Sequence, residues 1–258
     1  MGLKIFMNDH GNFVEKELRN STGLWQSLYV TDVNGDGYAD ILAGNWGHNS
    51  KLWAGKDGTC KLYVKDFDNN SSIEQILCYT INGKEYTFLA KDELERSLPV
   101  LKKAYLTYSE VAGKTVQYVF YDLFKDYIEL KAETLSSSCF INDGKGKLPT
   151  GQASFVRRDL PQELQLAPIM SFTGDASGDL LAAGNFYGVI PYEGRYDALF
   201  PTVFSFDKTE NKFKVSSILP AINGEMRDAK WLNDKQGNKI LALARNNDSL
   251  IFLKPNSK

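Results

Sequence analysis

An all-β fold of small antiparallel sheets is what this sequence predicts, and three features predict it. One hairpin phrase recurs along the chain, and a second strand–loop–strand phrase alternates with it. The aromatic content is also biased toward strands, with 13 tyrosines and 15 phenylalanines against 4 methionines.

The first phrase is Lys4-Ile5-Phe6-Met7-Asn8-Asp9-His10-Gly11-Asn12-Phe13. It reads as a strand, a tight Asn/Asp/Gly turn and an aromatic return strand. Cys139-Phe140-Ile141-Asn142-Asp143-Gly144-Lys145-Gly146-Lys147-Leu148 repeats it, and Leu52 to Leu62 is a looser copy. Asx-Gly turns supply the positive φ that a tight hairpin needs.

The second phrase runs from Tyr29 to Asn45: a strand, a polar loop, and an apolar strand ending Ala43-Gly44-Asn45. Relatives begin at Tyr63 and at Ile169, and the latter closes on Ala183-Gly184-Asn185. Three further strands are expected at Ala229–Leu232, Lys239–Leu243 and Leu250–Leu253. Short strands with regular turn signals indicate a sandwich, barrel or propeller. Alternation of two hairpin phrases favours a β-propeller of about four blades, read as one domain over 1–258 or a fragment of a larger propeller.

One stretch breaks the pattern. Over 91–127 a helical insertion is expected: Asp92-Glu93-Leu94-Glu95-Arg96 forms helix, Pro99 suits a first turn, and Leu98, Leu101, Ala104 and Tyr105 share a face. Tyr118, Val119, Tyr121, Leu123 and Phe124 continue an apolar surface. The insertion either packs on the sheets or forms a partner-binding arm.

Composition excludes several classes. With 30 basic and 32 acidic residues intermixed, no basic face is gathered for nucleic acid or for an anionic membrane. No apolar run reaches membrane-spanning length. Cys60, Cys78 and Cys139 are an odd, unpatterned set, expected as buried thiols. The N-terminus lacks the apolar region of a signal peptide, so the chain read literally is soluble and unexported. Its opening on a strand-like phrase, however, suggests a piece of something longer.

The most specific signal is Asp32-x-Asn34-x-Asp36-Gly37-Tyr38-x-Asp40. Calcium takes about six to eight oxygen ligands, and oxygen-bearing side chains at every second residue of a tight loop converge on one point. Gly37 allows the reversal, Tyr38 would lend its carbonyl, and Asp40 closes the set from the next strand. An EF-hand needs a loop-ending glutamate and flanking helices; here that position is Ala43 and the flanks are strands, so that reading fails. Asp66-x-Asp68-x-Asn70-x-Ser72-x-Glu74 repeats the spacing, with Ser71 in place of the glycine. Ca2+ is therefore the expected cofactor of both loops. A third copy, Thr173–Asp179, lacks most ligands and is expected to be a plain turn.

These loops, followed by Ile41-Leu42-Ala43-Gly44-Asn45, resemble the FG-GAP/VCBS repeat of integrin α-type propellers and bacterial surface proteins. The stretches Leu160–Pro168, Gly184–Val189, Gly194–Asp197 and Ala244–Asp248 are similar to the C-terminal portion of bacterial VCBS proteins of the ASPIC/UnbV-associated type. The resemblance implies an exported, lipid-anchored protein of the outer membrane or cell surface, found beside nutrient-uptake systems.

No catalytic constellation is evident. His10 and His48 are the sole histidines, leaving few partners for a nucleophilic serine or cysteine, and the clustered carboxylates are accounted for as metal ligands. A non-enzymatic binding or scaffold module is expected. The alternatives are a carbohydrate-active enzyme, whose paired carboxylates leave no local signature, or an accessory subunit of an uptake complex. Phe186, Tyr187, Tyr192, Arg195, Tyr196 and Asp197 are the candidate contacts to a glycan or protein ligand; packing between sheets is the other reading of the same residues.

Overall fold

The computed structural model describes residues 2–52, 58–144, 155–175 and 178–254. In chain order the strands and helices are β1 (Lys4–Asp9), β2 (Asn12–Glu17), β3 (Ser27–Thr31), β4 (Asp40–Gly44), β5 (Cys60–Lys65), β6 (Glu74–Ile81), β7 (Lys84–Thr87), α1 (Lys91–Ser97), α2 (Pro99–Ala104), α3 (Val116–Phe120), β8 (Ile128–Ala132), β9 (Ser138–Asn142), β10 (Phe155–Asp159), β11 (Ile169–Gly174), β12 (Leu180–Gly184), β13 (Thr202–Asp207), β14 (Lys212–Ile218), β15 (Met226–Asn233), β16 (Lys239–Arg245) and β17 (Ile251–Leu253). The fold is all-β with little helix, and every strand pairing within its sheets is antiparallel.

The expected phrases become hairpins. The first is β1–β2, turning at His10 and Gly11, both at positive φ. Its Cys139 repeat supplies β9, although Lys145–Leu148 lie outside the described residues. The looser Leu52 copy lies in part outside them too, because Trp53–Asp57 are not described. The second phrase gives β3–β4, β5–β6 and β11–β12, each pair joined by an acidic loop.

Contacts divide the chain into two compact units. The first comprises residues 1–3, 19–23 and 50–135. Its sheet has the order β7-β6-β5-β8. Tyr63, Phe67, Ile76 and Cys78 from the sheet side pack on Leu94, Leu98, Leu101, Val116, Val119 and Phe120 from the helical stretch. The helices stay short because Leu98, immediately before Pro99, adopts φ −126°, ψ 78°, outside the helical region that proline disfavours for its predecessor. Ala104 of the expected helical face is exposed, whereas Leu94 is buried. On the sheet, Lys61 bridges Glu85 at 2.6 Å and Glu129 at 3.3 Å, and the Tyr63 hydroxyl donates to Glu85.

The second unit holds residues 4–18, 24–49 and 136–258. Its sheets are β1-β2, β3-β4-β9-β10, β11-β12-β13-β14 and β15-β16-β17. Residues 50–135 of the first unit therefore enter the chain between β4 and β9, two adjacent strands of one sheet. Strand β12 is buried along its whole length. Leu180 and Ala182 join Leu42, Cys139, Phe172 and Phe204 on one side. Leu181 and Ala183 join Met226, Ala229, Leu241 and Leu243 on the other. The β11–β14 sheet thus lies between its two neighbours, with β11 beside both β3 and β15. Alternation of side chains along a strand makes this possible, since period two sends successive residues to opposite faces.

The repeated Ala-Gly-Asn endings serve this stacking. A Cβ on Gly44 would lie 2.3 Å from the Ile169 carbonyl oxygen, and one on Gly184 would lie 1.9 Å from that of Pro168. The asparagines that follow are buried clamps. Asn45 Oδ1 accepts from Leu24 N at 3.1 Å. Asn185 donates to the carbonyls of Leu199 and Gly224 at 2.9 and 2.8 Å and accepts from Leu199 N. All three cysteines are buried free thiols; burial pushes Cys60 up to about 12 and raises Cys78 and Cys139 as well.

Candidate functional site

The acidic loops fold by the same local rules. In the first loop Asp32 Oδ1 accepts from Gly35 N at 2.7 Å and Asp36 N at 3.2 Å, and Oδ2 accepts from Gly37 N at 2.8 Å. In the second, Asp66 accepts from Asn70 N at 3.0 Å and Ser71 N at 2.8 Å. Asp36 accepts from Tyr38 N at 2.9 Å, and Asn70 in the same place accepts from Ser72 N at 2.7 Å. The closing acid of each loop accepts from the residue after the first aspartate: Asp40 from Val33 N and Glu74 from Phe67 N, both at 2.9 Å. Gly35 and Gly37 have φ +70° and +88°, and Asn69 and Ser71 match them at +58° and +72°. Ser71 therefore holds the glycine conformation, at the steric cost a Cβ carries in the left-handed region.

The loops differ in what they gather. Among the described residues, Asp66, Asp68 and Glu74 form the group of three carboxylates whose ligand atoms lie within 4.8 Å of one another. Asp68 Oδ1 is buried with no hydrogen-bond partner. A buried carboxylate oxygen left unpaired is costly, and a hard cation that prefers oxygen is what this donor set fits.

The first loop has the fuller string of ligand types in sequence but is held differently. Asn34 Nδ2 donates to Asp36 Oδ2 at 2.9 Å. Asp40, fully buried, is anchored through Oδ1 by Asn142 N at 2.8 Å and through Oδ2 by Val33 N. Burial raises the Asp40 carboxyl, the two N–H donors oppose this, and the charges of Asp36 and Asp32 add to the rise. At Asp32 burial also acts upward, but the N–H groups of Gly37, Gly35 and Asp36, with Lys208, bring the carboxyl below its usual value. The Lys208 ammonium stands 2.3 Å from where a Cβ on Gly35 would sit. A lysine thus lies over this loop and balances part of its charge. Tyr38 is half exposed. In the third loop, Asp175 N donates to the Asp179 carbonyl at 2.9 Å; Ala176 and Ser177 lie outside the described residues.

The candidate ligand residues after β12 are only partly a surface. Tyr196 is 7 % exposed and sits in the core, its ring 5.3 Å from Trp46. Phe186 is half-buried, 5.4 Å from Trp46, and its backbone bridges that of Tyr196. Arg195 stacks over Tyr187 at 4.9 Å, and Tyr192, Arg195 and Asp197 are exposed. Sequence reasoning missed the group that organises them. Buried Glu225 accepts from Tyr187 N at 3.0 Å, Arg227 at 2.5 Å and Asn246 Nδ2 at 2.6 Å, and Arg227 lies over the Phe186 ring at 5.6 Å. A single charged residue just before β15 carries no local signal for this. Of the histidines, His10 is exposed beside Asp9, and His48 Nε2 is 2.8 Å from the Oγ of buried Ser136.

Residues 24–56 match the model of the FG-GAP repeat. The match takes in β3, the Asp32–Asp40 loop and β4, so the phrase singled out by ligand spacing is the one that carries the repeat. No curated protein matches the chain. The repeat is typical of extracellular or surface proteins. Among the described residues no helix is long and apolar enough to cross a membrane.

Proposed function

We propose that this chain is a calcium-loaded module of an FG-GAP-type β-propeller that serves a non-enzymatic binding or scaffold role at the cell surface. The observation that carries the reading is the Asp66–Asp68–Glu74 cluster with its unpaired buried oxygen. Asp32, Asn34, Asp36, Asp40 and the Tyr38 carbonyl would hold a first ion; Asp66, Asp68, Asn70, Ser72 and Glu74 would hold a second. Bound calcium supplies positive charge that ties each loop to the strand after it. Stacking of two four-stranded sheets and the three-stranded β15-β16-β17 sheet, with the edge strands β3, β11 and β15 side by side, supports the propeller. About four blades, a remainder in a larger chain of the ASPIC/UnbV-associated VCBS type, and lipid anchoring at the outer membrane complete the proposal. The ligand, a glycan or a protein, meets Tyr187, Tyr192, Arg195 and Asp197, with Phe186 and Tyr196 as their packed base.

Thermal unfolding of chelator-stripped protein tests the metal. An ion that binds only the folded state at a hundredfold excess over Kd adds about 2.7 kcal/mol, roughly 5–10 °C for a chain of this size. The expected result is a rise of that order with millimolar calcium, and a smaller one in Asp36→Ala. An unchanged midpoint would remove the metal from the proposal.

A further inference from the structure

The helical stretch of the first unit presents three tyrosines at its surface, one of which, Tyr105, also packs against its core. Tyr118 is 51 % and Tyr121 45 % exposed, and Tyr105 is half-buried. Isolated exposed aromatics are ordinary; Tyr105 and Tyr118 are fixed against each other, and Tyr121 is held by its backbone. The rings of Tyr105 and Tyr118 are near-parallel, 30° apart, with centroids 6.3 Å from each other. The Tyr105 hydroxyl donates to the Tyr118 carbonyl at 2.9 Å, and the Lys114 ammonium lies 4.9 Å from the Tyr118 ring centroid. Tyr121 has φ +34° and ψ −117°, backbone values that a bulky residue holds only when its surroundings impose them. Burial raises the Tyr105 hydroxyl first, and the hydroxyls of Tyr118 and Tyr121 raise it further, so both lie within electrostatic reach of Tyr105.

We infer that Tyr105, Tyr118 and Tyr121 form a preorganised aromatic platform that binds carbohydrate. Locking the rings before binding removes much of the ordering cost that an exposed side chain otherwise brings to an interface. A pyranose suits what is offered. Its C–H bonds make a flat apolar face for the electron-rich face of an aromatic ring, and its hydroxyls can pair with phenolic O–H groups. Residues 91–127 carry six Lys or Arg and six Asp or Glu, a balance that offers no net field to a polyanion and points to an uncharged glycan. None of the three tyrosines is a candidate metal ligand or one of the candidate contacts after β12.

Affinity electrophoresis of the full chain in gels containing xyloglucan, galactomannan, arabinoxylan or dextran, with alginate as the charged comparison, tests the platform. At least one neutral polysaccharide is expected to retard the protein. Tyr118→Ala and Tyr105→Ala should each weaken that binding about tenfold or more, the loss typical of a contact hot spot. Tyr118→Phe keeps the ring and should stay within about threefold, and Tyr187→Ala, on the other surface, should bind as the parent does. Melting curves confirm that each variant is folded. Failure of every neutral polysaccharide to retard the protein, retardation of folded Tyr118→Ala equal to the parent, or retardation by alginate alone would overturn the inference. Loss in Tyr187→Ala without loss in Tyr118→Ala would do the same.

Discussion

Gly184→Ala is expected to destabilise the protein by about 3 kcal/mol or more, lowering the thermal midpoint by roughly 6–12 °C. The added Cβ would meet the Pro168 carbonyl oxygen at 1.9 Å and Ile169 Cα at 2.9 Å. Both are backbone atoms leading into β11, so no side chain can rotate away. Asn185 N donates to that same carbonyl at 2.9 Å, which prevents the segment from drifting outward. Relief therefore requires separating β11 from β12, and β12 is buried on both faces. Gly237→Ala is the control: that glycine has φ +83° and nothing within 4 Å of where a methyl group would sit, so it bears the left-handed penalty alone. A loss there of about 1 kcal/mol is expected. Equal midpoints for the two variants would show that the sheet does not depend on this close approach.

Asp68→Ala should change sign with the metal. Without calcium, the substitution removes a buried, unpaired carboxylate oxygen and relieves its repulsion with Asp66 and Glu74, whose ligand atoms lie within 4.8 Å. A gain of about 1 kcal/mol is expected for the stripped protein. With calcium at a hundredfold excess over the parent Kd, the variant forgoes about 2.7 kcal/mol that the parent gains. Denaturant unfolding of both proteins with chelator and with calcium checks this; the two stability orders should be reversed. A variant less stable under both conditions would mean that Asp68 is a structural residue with no metal to serve.

Much of the fold was legible because its determinants are local. Asn8–Gly11 dictates a hairpin by turn chemistry, and the spacing of Asp32, Asn34, Asp36 and Asp40 dictates a loop whose side chains cap its own backbone N–H groups. Pro99 marked a helix boundary for the same reason. The pairing of β4 with β9 was not legible, because Leu42 and Cys139 meet across a whole intervening unit and strand partners so distant leave no local trace. Nor was the place of β8 beside β5, or the burial of Tyr196 against Trp46. Among the site residues, spacing identified both loops but could not tell which would gather its carboxylates. That depends on tertiary partners: Asn142 N claims one oxygen of Asp40, Lys208 lies over the first loop, and Asp68 Oδ1 has no such partner. Glu225 escaped notice because its role is to join three segments of chain.

Calorimetric titration of calcium into the stripped full chain tests the central claim most directly. Two sites per chain are predicted, one lost in Asp36→Ala and the other in Asp68→Ala, with magnesium a poor substitute because it demands a tighter octahedral shell than these loops supply. Absence of saturable binding at millimolar calcium, or binding that both variants retain in full, would contradict the account and leave the two loops as turns that cap themselves.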